Sequence, residues 1–513
     1  MAIWYCGSEK YTAVTAWVTA TTWAVGDIRR PTAAAVGNER VFRCTTAGLG
    51  GVSEPTWVNT KASTTTDNLA TWTEITGSET YNTPTSFAAP HARVRSAAAW
   101  MAAGDSLYVS SGHAETEDIG GSGYIAAFPG TATSPNTILS IDPATGGYVA
   151  GASITNTSVS SAGHVIMRGD IFVQGLIFKC GGTTGDGKLT LCDTIGEQLY
   201  RNCDFIHTGS GGSGRVFFGA AATIGNFRVI AENCRFKFGA AAQGINNASN
   251  LTIRGGSIIS GGSSPTNFFI PVTGTRVSFV ADVSGFDFAN AAAGINLVLS
   301  SSTQNGRVRF SNCKMPTSWT GLVTSAALTG GGLIVESYNL AADDTNYHFW
   351  MEHLEGSVKQ ETSIVATGGA TDGTTPYSMK MASSATAEFP LFPLISPPLF
   401  KRNELIGSVK TVTVEITHSA AAALTDKDIY LDLEYLGTAG FPLSLLTNDG
   451  PATVLTTAVD QTTSSQAWGG AAQTFKQKLS VDVTPQEKGD FIGVVKLFKA
   501  STTVYVNPDL VIT

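Results

Sequence analysis

Two stretches, LYRNCDFIHTG (199–209) and VIAENCRFKFG (229–239), share the order apolar residue, Asn, Cys, charged residue, Phe and, later, Gly. A third stretch, VRFSNCKMPTS (308–318), repeats the Asn-Cys pair. The copies could be coincidence, a set of metal ligands or one rung of a stacked structure. Their spacing separates these alternatives, because an irregular period in the twenties is typical of a right-handed parallel β-helix with two or three short strands per coil. The positions that mark this period, at steps of 27, 31, 22, 28 and 29 residues, are Phe178, Phe205, Phe236, Ile258, Phe286 and Met315.

The alternation along each copy predicts which side chains face the interior. In a strand, residues two apart share a face, so Cys and Phe of the motif point one way and Asn and the charged residue the other. A coil cannot bury its apolar face alone, and stacked neighbours supply the core. We therefore predict a structural ladder of inward side chains, made of Cys203, Cys234, Cys313, Phe205 and Phe236.

The same spacing bears on metal binding and on the charged residues. The thiols lie on separate rungs about 4.8 Å apart per layer, so we expect neither a four-ligand metal site nor a cofactor. Asp204 and Arg235 occupy equivalent outward positions on neighbouring rungs. They are predicted to form an ion pair between rungs, which on a surface contributes little stability.

Composition excludes several classes of protein. Of 513 residues, only 14% are charged, against about 25% in a typical domain. The net charge of −8 argues against a nucleic-acid-binding surface. Neither a signal peptide nor an apolar run long enough for membrane insertion is visible. The seven cysteines, an odd number, suit free thiols in a reducing cytosol, with a Cys6–Cys44 bridge left open.

The chain is predicted to be all-β and to divide into three parts. Residues 1–90 form a small Trp-rich β-module, 91–340 the β-helix and 341–513 an antiparallel β-sandwich of jelly-roll type. The last assignment rests on clean alternation in TVTVEIT (411–417) and DIYLDLEYL (428–436). The stretch FPLFPLISPPLF (389–400) has four prolines, which exclude a central strand and favour an extended apolar arm.

The module carries the most specific motifs, WVTATTWAVGDIRRPT (17–32), NERVFRCTTAGLGGVSEPTW (38–57) and TDNLATWTEI (66–75). It resembles small carbohydrate-binding modules, related to chitin-binding modules, that recur in bacteriophage virion proteins. This resemblance covers about residues 14–76 and implies a sugar-stacking face at Trp23 and Trp72, with Trp17 and Trp57 nearby. Trp23 stands where a Tyr is more usual. The alternative is that these tryptophans fill the core of a small domain.

Residues 91–340 resemble the β-helical body of tailspike-like phage proteins. That group includes receptor-binding depolymerases and trimeric decoration spikes on capsids. The resemblance is one of architecture, so it transfers no catalytic residue to this sequence.

Glycan hydrolysis would require two carboxylates at a set separation. No recognisable pair stands out in the β-helix, so we expect its acidic side chains to lie on solvated turns and rung faces, and the chain not to be an enzyme. The candidates are Glu115, Glu117, Asp118, Asp186, Asp193, Asp204, Glu232 and Asp287.

The resemblance implies a structural protein on the exterior of a tailed-phage virion, folded in the host cytoplasm. The favoured role is a homotrimeric decoration or spike on the capsid that stabilises the shell, with the major capsid protein or other virion proteins and surface glycans as partners. The alternative is a tail spike or fibre that recognises host polysaccharide, with depolymerase activity as a third hypothesis.

Overall fold

The computed structural model describes residues 1–316, apart from short gaps, and beyond them the backbone of separate strands. The gaps are 121–122, 159–163, 182–187, 192–195, 212–214, 219–226, 248–249, 264, 270–278, 292–294 and 301–305. Two compact units are present. The first comprises Met1–Gln243, Ala248–Thr252 and Ile259–Ser263, and the second Gly244–Asn247, Ile253–Ile258 and Ser264–Thr513. The domain boundaries at residues 90 and 340 stay predictions.

The chain is almost entirely β-structure, which confirms the predicted fold class. The elements up to the end of the last complete coil of the first unit are β1 (Ile3–Cys6), α1 (Ser8–Ala13), β2 (Thr22–Trp23), β3 (Ile28–Arg29), β4 (Phe42–Thr46), β5 (Gly48–Leu49), β6 (Thr64–Asp67), β7 (Ala70–Glu74), β8 (Asn82–Thr83), β9 (Ser86–Phe87), α2 (Val94–Ala98), β10 (Ser106–Ser110), β11 (Ala114–Glu117), β12 (Tyr124–Ala127), β13 (Asn136–Ile141), β14 (Ser153–Asn156), β15 (His164–Arg168), β16 (Ile171–Gln174), β17 (Ile177–Cys180), β18 (Lys188–Leu191), β19 (Gly196–Arg201), β20 (Asp204–His207), β21 (Arg215–Phe218), β22 (Phe227–Glu232) and β23 (Arg235–Lys237).

The remaining strands are β24 (Gly244–Asn247), β25 (Asn250–Arg254), β26 (Ser257–Ile258), β27 (Asn267–Phe269), β28 (Phe279–Ser284), β29 (Ile295–Ser300), β30 (Gly306–Ser311), β31 (Cys313–Met315), β32 (Ser318–Thr324), β33 (Leu333–Val335), β34 (Ser337–Leu340), β35 (Asn346–His348), β36 (Ile364–Thr367), β37 (Met379–Ser383), β38 (Phe389–Leu394), β39 (Lys410–Ser419), β40 (Ile429–Gly437), β41 (Val454–Thr457), β42 (Thr463–Ser464), β43 (Thr474–Val483), β44 (Asp490–Leu497) and β45 (Thr502–Ile512).

The first unit contains a parallel β-helix with three strands per coil. One sheet has the order β1-β10-β13-β16-β19-β22, a second β11-β14-β17-β20-β23, and a third β12-β15-β18-β21, and every neighbouring pair is parallel. Successive strands in one sheet are therefore one coil apart in sequence. This arrangement is what the irregular repeat predicted.

Columns of apolar side chains fill the interior of the coils. In the second sheet Phe178, Phe205 and Phe236 occupy paired positions, are fully buried, and have ring centroids 5.7 and 5.3 Å apart. The first sheet contributes the buried column Leu107, Ile138, Val173, Tyr200 and Ala231. Each coil thus buries its apolar face against its neighbours rather than by itself.

The N-terminal module is an insertion in the β-helix. Strand β1 precedes the module, yet it pairs in parallel with β10, with Ile3 opposite Ser106. The chain returns to the same edge where Cys6 and His91 form a parallel bridge. The first coil therefore includes the N-terminal strand β1, which joins it by pairing with residues about 100 positions later in the sequence.

The Asn-Cys motif makes a corner between the first and second sheets. Asn202 and Asn233 both have φ of +51°, in the left-handed region, and Gly175 takes the equivalent place one coil earlier with φ of +77°. The Asn202 N–H donates to the Glu232 carbonyl of the next coil at 2.9 Å, and the Gly175 N–H to that of Arg201 at 3.0 Å. Only Gly and, among larger residues, chiefly Asn and Asp enter this region at low cost, which explains the repeated Asn.

The cysteine after each Asn turns inward and donates its thiol to backbone carbonyls. Cys203 Sγ lies 3.4 Å from the Arg201 oxygen and 3.7 Å from the Val173 oxygen. Cys234 Sγ lies 3.5 Å from the oxygens of both Tyr200 and Glu232. The same pattern recurs in the second unit at Cys313, which is also fully buried.

The second unit continues with parallel coils. Strands β28, β30 and β33 pair in parallel, as do β27, β29 and β32, and Ser257, Asp287 and Lys314 form parallel bridges. This register aligns Ile258 with Phe288 and not with Phe286, so the marker chosen from the sequence was wrong by two residues. Gly285 occupies the left-handed corner, and Phe286 takes the inward place held by cysteine in other coils.

Beyond the coils the second unit is antiparallel. Strands in the order β36-β37-β45-β39-β43-β42 extend the sheet of β32 through the antiparallel pair of β32 and β36, and a separate sheet has the order β38-β44-β40-β41. The proline-containing β38 lies at the edge of its sheet, as its sequence required, with a register shift between Pro390 and Phe392. It is a paired strand and not a free arm, while residues 395–400 lie outside the described residues.

The corner conformation predicts opposite effects for two substitutions at Asn233, an exposed residue. Asn233→Val should lower the free energy of unfolding by about 1–2 kcal/mol, because a β-branched residue is strained at positive φ. Asn233→Gly should change it by a few tenths of a kcal/mol only, because Gly adopts this conformation freely. Urea unfolding followed by tryptophan fluorescence measures both, and equal losses in the two variants would contradict the assigned corner.

Burial predicts thiols that do not react in the native protein. The six described cysteines are free and buried, Cys6 and Cys44 included, so the bridge left open by the sequence is absent. Burial raises the pKa of the Cys234 thiol well above its ordinary value and that of Cys313 to about 12. The seventh, Cys192, lies outside the described residues and is best removed as Cys192→Ser.

In that variant a chromogenic disulfide reagent should label essentially no thiol within minutes at pH 8, and six thiols after denaturation, because the reactive species is the thiolate. Rapid native labelling of one or more thiols would show that the cysteine ladder is accessible.

Candidate functional site

The four predicted tryptophans form the core of the module. Trp17, Trp23 and Trp72 are buried with Phe42 and Cys44, and Trp57 packs against them. The rings of Trp23 and Trp72 meet edge to face at 5.2 Å, and Trp57 lies 4.2 Å from Phe42 between ring centroids. The rings therefore face one another and do not present a flat surface to solvent, which corresponds to the core interpretation.

The buried carboxylate of Asp67 accepts three hydrogen bonds within this cluster. Asp67 Oδ2 accepts hydrogen bonds from the indole N–H groups of Trp17 (2.8 Å) and Trp72 (3.3 Å), and Oδ1 accepts from the Gly51 N–H (2.7 Å). These three donors compensate the cost of burying a charge in a small domain. Binding of a carbohydrate by the module stays a prediction; the rings of Trp17, Trp23 and Trp72 are buried, and that of Trp57 is half-buried.

A buried ionic network joins the module to the first coil. Glu115 and Glu117 lie on one face of β11 and point inward, where Arg93 contacts both, together with Glu39 of the module at 2.6 Å. Arg95 Nη2 adds a contact to Glu117 Oε1 at 3.0 Å. Burial raises the pKa of Glu117, against the opposing effect of the two arginines.

A thiol, an imidazole and a carboxylate follow one another inside this network. The Cys6 sulfur lies 3.9 Å from His113 Nδ1, and His113 Nε2 lies 3.3 Å from Glu115 Oε2. The Ser8 N–H donates to His113 Nδ1 at 2.9 Å, which leaves Nε2 to carry the proton toward the carboxylate. All three side chains are buried, and burial raises the pKa of Cys6 well above its ordinary value, so this group lacks an accessible nucleophile.

The acidic residues considered as catalytic candidates have diverse surroundings. The expectation of solvated positions was wrong for Glu115 and Glu117, because the arginines that enclose them come from segments distant in sequence. It was also wrong for Asp204, which is buried beneath the guanidinium of Arg235 in a bidentate pair with both contacts at 2.7 Å. That pair is the one predicted between neighbouring rungs.

The remaining acidic candidates that the structure describes have separate surroundings. Glu232 binds Arg201 at 2.7 Å, Asp118 is exposed and Asp287 half-buried. Asp186 and Asp193 lie outside the described residues. Within the described part of the chain, no group of three or more His, Cys, Asp or Glu side chains is placed to hold a metal ion.

A stack of three aromatic rings with a cation at each end lies where the module meets strand β1. Lys61 Nζ is 4.1 Å from the centroid of the Trp4 ring, and Arg40 is 4.6 Å from that of Trp100. Between the two indoles lies His91, with centroid distances of 5.9 Å to Trp4 and 5.3 Å to Trp100. Such contacts contribute about 0.5–2 kcal/mol each, depending on burial.

Beside this stack the module and β1 line a cavity of about 410 Å³ that is open to solvent. Its lining includes Trp4, Lys61, Glu79 and Tyr81, none of which the sequence indicated as a site residue. Their juxtaposition depends on the pairing of β1 with β10, and the sequence carries no local signal for that pairing. The cavity combines aromatic and aliphatic side chains with Lys61, the carboxylates of Glu74 and Glu79, and several hydroxyl groups.

Comparison with known proteins gives a distant structural similarity. No protein family and no curated protein matches the chain. Among solved structures, it is similar to the crystal structure of the enzymatically active domain of tailspike protein 4 from bacteriophage CBA120, with 10% identity and a TM-score of 0.27. The similarity covers 100% of this chain and 77% of that one.

That domain is described as enzymatically active, which contradicts our expectation that the chain is not an enzyme, and we withdraw the expectation. A similarity at this TM-score assigns no activity and no catalytic residue to the chain. Separately, in the described part of the chain no helix has the length and apolar character required to cross a bilayer.

The position of His91 predicts a pH dependence of stability. Burial, reinforced by Arg40 and Lys61, lowers the pKa of His91 to about 3, and neither ring nitrogen has a hydrogen-bond partner. Between pH 7.5 and 5 the unfolded chain gains a proton at this residue, near its ordinary pKa of about 6.5, and the folded chain does not. The wild type should therefore lose about 2 kcal/mol of unfolding free energy from this group over that range.

The variant His91→Phe keeps an aromatic ring in the stack and removes the titration. The difference in unfolding free energy between wild type and variant should shift by about 2 kcal/mol in favour of the variant from pH 7.5 to pH 5. Denaturant titrations at both pH values measure it, and a pH-independent difference would show that His91 takes up its proton equally in the folded and the unfolded chain.

Proposed function

We propose that this chain is a tailspike-like protein on the exterior of a tailed-phage virion, where it recognises host polysaccharide. The observation that supports this most strongly is the architecture itself. A parallel β-helix of stacked three-strand coils is followed by antiparallel strands in two sheets and interrupted near its start by a small module. A stacked structure of this kind offers a long rigid surface, with the side chains of successive coils at fixed intervals, which suits recognition of a repeating polymer.

We propose further that the protein acts as a homotrimer attached to other virion proteins. Symmetric closure of three copies would bury flanks of the coils and limit uncontrolled association. The free buried thiols support folding in the reducing cytoplasm of the host before assembly. Attachment to the major capsid protein as a decoration, which the sequence first suggested, is the competing assignment.

The location on the particle tests the proposal directly. Virions labelled with gold-conjugated antibodies against this chain should carry label at the tail, because a receptor-binding spike must reach the cell surface at adsorption. Label confined to the head would overturn the receptor-binding proposal and favour a capsid decoration. A phage lacking the protein provides the control for nonspecific labelling.

Purified trimer should also bind polysaccharide isolated from the host strain and not that of a strain resistant to adsorption. Measuring the release of reducing ends from the same samples determines whether recognition is accompanied by cleavage. Equal retention of both polysaccharides on the immobilised protein would contradict host-specific recognition, whatever the location of the label.

A further inference from the structure

The outer face of the second sheet carries an excess of positive charge, although the chain as a whole has a net charge of −8. The phenylalanines of β17, β20 and β23 point inward, so the residues on either side of each phenylalanine point outward. These outward residues are Ile177, Lys179, Asp204, Ile206, Arg235 and Lys237. This face therefore presents three cations and one carboxylate.

The carboxylate on this face is shielded from solvent. The side chain of Asp204 is 10% exposed and lies in the bidentate pair with Arg235, whose own side chain is 57% exposed. Across the corner, in the first sheet, Glu232 is paired with Arg201 at 2.7 Å. Asp118 is exposed but follows β11, two coils before β17. The charges that β17, β20 and β23 offer to a ligand are therefore positive.

Two of the cations stand in one column of the sheet. Lys179 is paired with Ile206, and Ile206 with Lys237, so the two lysines are two coils apart. At ~4.8 Å between neighbouring strands, this separation is roughly 10 Å. The ion pairs found in the described part of the chain include neither lysine. The half-buried side chain of Ile206 gives an apolar surface between them.

We infer that this face binds an acidic polysaccharide in which every second sugar carries a carboxylate. Two successive carboxylates pair with Lys179 and Lys237, and the C–H face of the sugar between them packs on Ile206. An extended polysaccharide advances by a comparable distance over two sugar units, so the spacing of its charges matches that of the lysines. This inference rests on the proposed function and names the class of polysaccharide and the face that binds it.

The two lysines act together on a polymer. A single ion pair at a surface is weak, because water and salt screen it. A polymer that has formed one pair, however, holds its next carboxylate close to the second lysine, so the second pair forms at a high effective concentration. A free acidic monosaccharide lacks this advantage, and we expect it to bind much more weakly than the polymer.

Two probes that differ only in charge test the inference: a hyaluronan decasaccharide, which carries a carboxylate on every second sugar, and its methyl ester. In calorimetric titrations of the full-length protein, the decasaccharide should bind and the ester should bind at least about tenfold more weakly. Binding of the decasaccharide should also weaken as the ionic strength rises from about 0.01 to 0.15 M. Equal affinity for the two probes, or no binding of the decasaccharide, would overturn the inference.

Variants of the lysines locate the site. The double variant Lys179→Met, Lys237→Met retains both apolar stems and should bind the decasaccharide at least about tenfold more weakly than the wild type. The double variant Lys10→Met, Lys188→Met removes the same total charge from α1 and β18 and should bind like the wild type. An equal loss in both double variants would show that net charge, and not this face, governs binding.

Substitution of the residue between the lysines gives an independent test. Ile206→Glu places a carboxylate next to both cations, where it competes with the ligand, whereas Ile206→Gln introduces a neutral side chain of the same shape. The Glu variant should bind at least about tenfold more weakly than the Gln variant. Equal affinities would contradict a ligand that spans this position, and far-UV circular dichroism establishes that the variants are folded.

The oligomeric state separates a polysaccharide from a second copy of the chain as the occupant of this face. Sedimentation equilibrium should give the same molar mass for the wild type and for the double variant Lys179→Met, Lys237→Met. A change of oligomeric state in that variant would show that the face is an interface between subunits and would overturn the inference.

Binding of whole host polysaccharide separates this inference from the proposed function. If the wild type and the double variant Lys179→Met, Lys237→Met bind that polysaccharide equally, the assignment of this face fails and the proposed function stands. If the wild type binds no host polysaccharide, the proposed function fails, whatever the result with the decasaccharide.

Discussion

Hydrogen bonds between successive coils impose the constraint on which the rest of this structure depends. At the corner between the first and second sheets, a backbone N–H meets the carbonyl of the adjacent coil, as Asn202 does with Glu232 and Gly175 with Arg201. In the coils of Gly175, Asn202 and Asn233 this corner holds a residue with a left-handed backbone conformation. A shift by one residue would exchange inward and outward side chains along the whole strand. The inward cysteine and the outward ion pair therefore follow from the corner.

Much of this stacking could be predicted from the sequence because its signals are local. Two-residue alternation assigns Cys203 and Phe205 to one face, and the recurrence of Asn-Cys gives the coil length. The prediction failed at Phe286, where Gly285 occupies the corner and the expected Phe falls two residues later. The sequence marker followed the Phe of the motif, whereas the backbone requires a left-handed residue at the corner. Gly285 meets that requirement in place of Asn, so the repeat could not be aligned by its Asn-Cys pair.

The site could not be predicted in the same way, because its parts are distant in sequence. Trp4 reaches the cavity through pairing of Ile3 with Ser106, and Glu115 is enclosed by an arginine from the segment that returns from the module. Neither the strand pairing nor the ion pair produces a periodic pattern in the sequence. The tryptophans of the module were conspicuous in the sequence, but Trp17 and Trp72 lie in the core, where both donate hydrogen bonds to Asp67. Large aromatic residues in a domain this small are needed first for stability.

The buried ionic network contributes more to geometry than to net stability. Transfer of Arg93 and its carboxylate partners from water costs several kcal/mol, which their mutual attraction largely offsets. Apolar side chains of similar volume could fill the same space. Charged groups, however, satisfy one another in few arrangements, so we expect the network to favour one orientation of the module on the first coils.

The attachment of the module at both of its ends has a mechanical and a temporal consequence. The chain leaves the first coil at Gly7 and returns at His91, and these two residues share a backbone hydrogen bond of 2.9 Å. A domain held by two adjacent strands resists twisting, whereas one on a single linker swivels. During synthesis, β1 leaves the ribosome long before β10, its partner. The pairing of β1 with β10 can therefore form only after the whole module has been synthesised.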